Sequence, residues 1–256
     1  MIALAAEMLE VTQIWLATAI AVFLRIGACF IVLPGLGEQM IPARVRLGAA
    51  FAFTIFLTPA LHGEIAAQGT LPPITAFFSE ALSGLILGLA LRLMVHALQI
   101  AGTIAAQSTS LSQIMGGASP DPQPAMGAIL MLGGLTLAVL SGLHIHLVET
   151  FLRSYAILPF GDLPGPRDLG GWGVDQVRHS FSLALSLAAP FLVASLLYNV
   201  ALGVINKAMP QLMVAFVGAP AITWGGLVLL LLTTPFILPI WLTAFEGVLS
   251  APMGPR

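Results

Sequence analysis

Residues 74–107 read ITAFFSEALSGLILGLALRLMVHALQIAGTIAAQ, an apolar stretch without a proline and too long for one simple membrane span. Glu80, Gly84, Gly88, Arg92 and His96 recur in it every four residues. Each step of four advances only about 40° around a helix, so these positions form one slowly drifting stripe. Such a stripe faces protein. Small residues let helix backbones approach, and ionisable groups at membrane depth turn toward a bundle interior or an aqueous cavity. Glu80 and Arg92 lie about 18 Å apart along the helix and cannot pair with each other, so each needs a partner on another element.

The rest of the chain sets the same medium. Of 256 residues, 58% are hydrophobic and 8% are charged, against about 25% charged in an ordinary soluble domain. The mean hydropathy of +1.00 spreads that bias over the whole chain rather than one anchor. The formal charge is -2, and no run of Lys or Arg makes a phosphate-binding stripe, so nucleic acid is not expected as a partner. Cys29 stands alone inside an apolar run and reads as a small core hydrophobe.

The first apolar run, Val11 to Leu33, holds one charge, Arg25, and stops at the turn signal Pro34-Gly35. No basic residue precedes it and it is too long for a signal-peptide core, so it reads as a retained span. A polar connector, Glu38 to Arg46, leads to Leu47 to Leu61, which as a helix reaches only about 23 Å. A loop with His62, Glu64 and Pro72-Pro73 is expected next. Beyond residue 107, Ser108 to Pro124 is rich in Ser, Thr, Gly and Pro; irregular backbone of that kind is tolerated at membrane depth only inside protein or along a water-filled path. A span from Met126 to Phe151 follows, then a solvated loop from Arg153 to His179. Phe181 to Ile205 is expected to be interrupted at Pro190, and Leu212 to Leu249 to be broken at Gly218-Ala219-Pro220, Pro235 and Pro239. The expectation is an all-α membrane protein with about six apolar helical segments, several of them broken.

Chemistry is sparse. There is no Gly-x-Ser-x-Gly elbow, His-Glu-x-x-His pair, Walker-type loop or cofactor fingerprint, so no enzyme, cofactor or metal is expected. His144 and His146, two apart on a helix, point to different sides and make a poor metal pair. Asn199 and Asn206, seven apart, return to nearly the same helix face and, with Gln211, suggest amides bonding across helices. Broken helices with charges at mid-depth also fit a secondary transporter or channel acting alone. Lys and Arg counts put the loops of Arg44, Arg46 and Lys207 on the cytoplasmic side, which leaves the Arg153 to Arg178 loop opposite with its charges offset by acids.

Several local runs resemble the FliR family of flagellar biosynthesis, shared with the T subunit of virulence injectisomes, over nearly the full length. Ile41-Pro42-Ala43-Arg44-Val45-Arg46-Leu47-Gly48 resembles its basic connector, and Glu80, Gly84, Leu87 and Gly88 its Glu-xxx-Gly-xx-Leu-Gly helix. Ala101-Gly102, Gln107 and Asp121-Pro122 are similar to the landmarks framing its central loop, and Leu158-Pro159-Phe160-Gly161 to its Leu-Pro-x-Gly. The run from Asn199 to Gln211, with Asn206, Lys207 and Pro210, is the most distinctive match. Two departures stand out. Ser108, Thr109, Ser110 and Ser112 replace a Gly-containing apolar stretch, and Gly218-Ala219-Pro220-Ala221 replaces Gly-Phe-Pro-Leu.

The resemblance implies a subunit of a type III protein-export gate, built with P-type and Q-type membrane subunits into a helical ring, with helical hairpins held largely above the bilayer plane. It implies other export-apparatus membrane proteins and membrane lipid as neighbours, exported unfolded proteins as cargo, and a place in the bacterial inner membrane at the flagellar basal body, or in an injectisome. Residues 1–256 are then one gate domain, with an N-terminal section over residues 1–107, a central loop over residues 107–124 and a C-terminal section over residues 125–256. The loop would plug the closed channel through Gln107, Leu111, Gln113, Ile114, Met115, Gly116, Gly117, Asp121 and Pro122, with Leu111, Ile114 and Met115 as apolar stoppers. Arg25, Arg44, Arg46, Glu80, Gly84, Gly88, Arg92, Asn199, Asn206, Lys207, Pro210 and Gln211 are the expected inter-helix or subunit interface.

Overall fold

The computed structural model describes residues 2–35, 41–66, 73–109, 125–162, 165–209 and 214–254. Seven α-helices and no strand occur among them: α1 (Ile2–Val32), α2 (Ala43–Ala66), α3 (Ile74–Ser108), α4 (Ala125–Leu140), α5 (Leu143–Ile157), α6 (Pro166–Ala208) and α7 (Val214–Ser250). Five of these are long and apolar enough to cross a membrane, and α4 with α5 qualifies as a sixth, broken span.

The elements differ in instructive ways from the sequence reading. Helix α2 begins at Ala43 and takes in Arg44 and Arg46 of the basic connector as well as His62, so it has 24 residues. Ala and Arg are good helix formers, and the Pro42 carbonyl accepts the first turn's Val45 amide at 2.9 Å. The expected single span Met126 to Phe151 is two helices, because Gly142 takes a left-handed φ of +89° that ends one helix and starts the next. Most of the expected loop Arg153 to His179 is helical. Helix α5 runs on to Ile157, and α6 starts at Pro166, a favoured first position, with Asp168 complementing its N-terminus.

The prolines of α6 and α7 do not interrupt either helix. Pro190, Pro220, Pro235 and Pro239 all lie inside helical stretches. Around Pro235 and Pro239, Thr233, Thr234 and Thr243 return hydroxyls to the Leu229, Leu230 and Pro239 carbonyls at 2.8, 2.6 and 3.0 Å. Hydroxyl back-bonding of this kind keeps threonine side chains satisfied inside an apolar helix.

The chain divides into two compact units. The first comprises Met1–Arg92, Gly142–Asp175 and Glu246–Arg256. In it α1 and α2 run antiparallel, as the ring pairs Trp15–His62 (3.8 Å, stacked) and Phe23–Phe51 (4.8 Å) fix. Helix α3 crosses α1 in the parallel sense, Gly84 at Arg25 and Gly88 at Cys29. Phe30, Phe53 and Phe151 close the core where α1, α2 and α5 meet.

The second unit comprises Leu93–Ser141 and Gln176–Phe245. The C-terminal half of α3 runs through it. Helix α4 lies antiparallel against it: a Cβ on Gly102 would overlap the Gly127 backbone, and one on Gly134 would overlap Leu98. Helix α7 is also antiparallel, with the buried Trp241 Nε1 donating to the Met94 carbonyl at 2.8 Å. Helix α6 is parallel, joined by Ser180 Oγ to the Leu93 carbonyl at 2.6 Å. Burial follows this arrangement: 61% of the most apolar window of α3 is buried, against 17% for α7.

Candidate functional site

Among the described residues, Arg25 and Glu80 are the buried charges of the core, 1% and 0% exposed. Two features bring them together. Gly84 lets α3 press onto the backbone of α1, where any Cβ would overlap the Arg25 carbonyl, and Glu80 sits one turn earlier on the same face. The guanidinium then grips the carboxylate as a fork, Nε to Oε2 at 2.7 Å and Nη2 to Oε1 at 2.8 Å.

The remaining capacity of both groups is used by α5 and the turn after it. Arg25 Nη1 donates to Ser154 Oγ at 3.0 Å and Nη2 to the Leu158 carbonyl at 2.9 Å. Tyr155 donates its hydroxyl to Glu80 Oε2 at 3.0 Å. The Tyr155 ring lies under the guanidinium, 3.6 Å from Cζ, in a cation–π contact. Gly161 holds φ +82°, so the Leu158-Pro159-Phe160-Gly161 turn has a backbone only glycine adopts readily. The cluster ties α1, α3, α5 and this turn together. Its charges are matched and surrounded, which suits a structural tie.

The other expected residues are placed as follows. Gly84 and Gly88 face α1, and a Cβ on Gly88 would come 2.7 Å from the Cys29 carbonyl. Arg92 is on the exposed side of α3, and His96 is half-buried with Nδ1 2.6 Å from Gln99 Oε1. Arg44 is exposed and Arg46 half-buried at the start of α2. Asn199, Asn206 and Lys207 are exposed on α6, and Asn199 Nδ2 donates to Ser195 Oγ at 3.2 Å. Gln107 is exposed near the end of α3. Leu111, Gln113, Ile114, Met115, Gly116, Gly117, Asp121, Pro122, Pro210 and Gln211 lie outside the described residues.

Sequence reading found Arg25 and Glu80 but not as partners, and it missed Ser154 and Tyr155. The available signal was two adjacent polar residues one turn before the Leu-Pro-x-Gly turn, which read instead as the edge of a loop. A shallow cleft of about 300 Å³ brings together His146, Glu149, Arg153 and Glu246. Its Glu149–Arg153 pair is half-exposed at 3.2 Å, a geometry that contributes little. Among the described residues no three His, Cys, Asp or Glu side chains converge as a metal site would require.

A many-helix membrane protein held by an internal charge tie, with much of its apolar surface uncovered, is the class that the fold and this site define. Comparison narrows it: the family model for bacterial export proteins, family 1, matches residues 16–248, and the chain belongs to that family. It is 34% identical to the flagellar biosynthetic protein FliR of Caulobacter vibrioides over 91% of this chain and 94% of that protein. It is 28% identical to the FliR of Escherichia coli over 95% of each chain. It is also similar to the Yop proteins translocation protein T of Yersinia pestis, 24% identical over 77% of each.

Proposed function

We propose that the chain is a membrane subunit of a bacterial flagellar type III protein-export apparatus, a structural and gating component rather than an enzyme, seated in the inner membrane at the flagellar basal body. It joins P-type and Q-type membrane subunits around a conduit for unfolded flagellar proteins, and the segment from Gln107 to Pro122 closes that conduit at rest. The flagellar reading rests on the FliR proteins of Caulobacter vibrioides and Escherichia coli, whose 34% and 28% identities exceed the 24% of the Yersinia translocation protein.

The observation that carries the partnership is the surface of α6. From Leu192 to Met209 nearly every side chain is exposed, including Val193, Leu196, Leu197, Val200 and Val204, each at least 57%. Asn199 and Asn206 stand among them. An apolar helix is readily covered by acyl chains, but amides in hydrocarbon need hydrogen-bond partners, and neighbouring helices supply them.

Purification of the tagged chain from its native membranes tests this. P-type and Q-type subunits should co-elute in fixed ratio, and Asn206→Leu should reduce their recovery severalfold while the chain itself still inserts. Recovery of a solitary chain that moves solute unaided in vesicles would favour a stand-alone transporter instead.

A further inference from the structure

A helix ends with four carbonyls that lack intrahelical donors, and in apolar surroundings water is not at hand to satisfy them. Hydroxyls do so at the end of α3. Among the described residues, the Ala105 carbonyl is the last to take a backbone donor, the Thr109 amide at 3.1 Å, and also accepts the Ser108 and Thr109 hydroxyls at 2.8 and 2.9 Å; the next carbonyl, that of Ala106, has Thr109 Oγ1 at 3.3 Å. Two further hydroxyls come from other helices. Ser195 of α6 donates to the Ser108 carbonyl at 2.8 Å, and Thr223 of α7 reaches the Thr109 carbonyl at 3.5 Å.

The Ser195 hydroxyl is itself oriented. Asn199 Nδ2, one turn along α6, donates to its oxygen at 3.2 Å. A hydroxyl has one hydrogen to give and two lone pairs, so the amide takes a lone pair and leaves the hydrogen for Ser108. The fit is steric too. Thr109 is buried with its side chain against Gly226 of α7, where a Cβ would overlap it.

We propose that Ser195, Asn199 and Thr223 are positioning residues which, together with the hydroxyls of Ser108 and Thr109, form a cap drawn from three helices that fixes the last turn of α3 and the point where the chain leaves it. Ser108 and Thr109 are two of the positions that differ from the pattern the sequence resembles, and Thr109 brings a hydroxyl near the Ala106 carbonyl that glycine and apolar residues lack. Asn199, in the most distinctive run of the sequence, acts through Ser195. The cap rests on the closure reading above only for its consequence, because the segment leaving α3 here is the one to which that reading assigns the conduit's seal.

The test is amide hydrogen exchange of residues 105–109, followed by mass spectrometry on the full chain as it purifies from membranes. Ser195→Ala with Thr223→Val keeps the shape of the site and removes both hydroxyls. Exchange of the last α3 turn should then be roughly fivefold faster, the scale of one to two lost hydrogen bonds, and Ser195→Thr with Thr223→Ser should restore wild-type exchange. Equal exchange in all forms overturns the cap. Ion leak across cell membranes is measured in parallel. The hydroxyl-free form should leak more than its hydroxyl-bearing counterpart, while a tight barrier after deletion of Ser110 to Gly117 would sink the closure reading and leave the exchange result to decide the cap alone.

Discussion

Arg25 places four of its N–H bonds on protein acceptors and its flat face on Tyr155, so its cost of burial is offset only while every partner is present. Removing one member strands the other. Arg25→Met should destabilise the chain by about 3–5 kcal/mol, because it leaves Glu80 buried and unpaired. Arg25→Met with Glu80→Leu should recover much of that loss, since an apolar pair of similar volume has no charge to desolvate. Thermal inactivation in detergent and the yield of assembled complex give the ordering; a double variant as unstable as the single would contradict it. Tyr155→Phe keeps the ring under the guanidinium and removes one donor to Glu80, for about 1 kcal/mol. If the cluster were a proton relay, Glu80→Gln would assemble normally and change proton-coupled export instead. As a tie, Glu80→Gln impairs assembly first.

At the scale of elements, the glycines of α1 and α3 divide cleanly by what surrounds them. Gly84 and Gly88 lie against the α1 backbone, whereas Gly27, on α1 itself, has nothing within 4 Å of where its Cβ would stand. Gly84→Ala should therefore cost about 1–3 kcal/mol through forced separation of the helices. Gly27→Ala should be neutral or stabilising by up to about 1 kcal/mol, as alanine is the better helix former. Melting of the two purified variants side by side decides it, and equal loss in both would remove the close-approach role of Gly84. The four-residue period of Glu80, Gly84 and Gly88 made this face legible in the sequence. The proline-containing helices were not legible in the same way. Proline removes a donor and crowds the preceding turn, which local rules score as a break, yet α6 and α7 continue through Pro190, Pro220, Pro235 and Pro239. Packing of the flanking turns in an apolar medium lets such helices continue, and that is not visible in a local window. The opposite error fell at Ser141-Gly142, where a dipeptide inside an apolar run ended a helix that hydropathy alone carries through.

At the scale of the whole molecule, many large apolar side chains of the described helices are exposed, with Ile55, Phe56, Leu231 and Phe236 at least 70% so. Soluble monomers rarely carry such a surface, which suits a membrane. If the segment after Gln107 closes the conduit, deletion of Ser110 to Gly117 should leave cells that express the assembled complex permeable to ions and small solutes, with little change in the amount of complex. Dye uptake and membrane potential report this, and an intact barrier would mean the segment is a plain connector. Composition alone fixed the medium, because 8% charged residues cannot clothe a water-soluble surface, and periodicity fixed α3, because the helical repeat is a local property of the backbone. The partners of Arg25 and the donors that cap α3 were decided only by tertiary structure. Arg25 meets Glu80 and Ser154 across separations of 55 and 129 residues, and Ser108 meets Ser195 across 87. A buried polar group must be satisfied by whatever helix packing brings within 3 Å, and that choice is made in space, not along the chain.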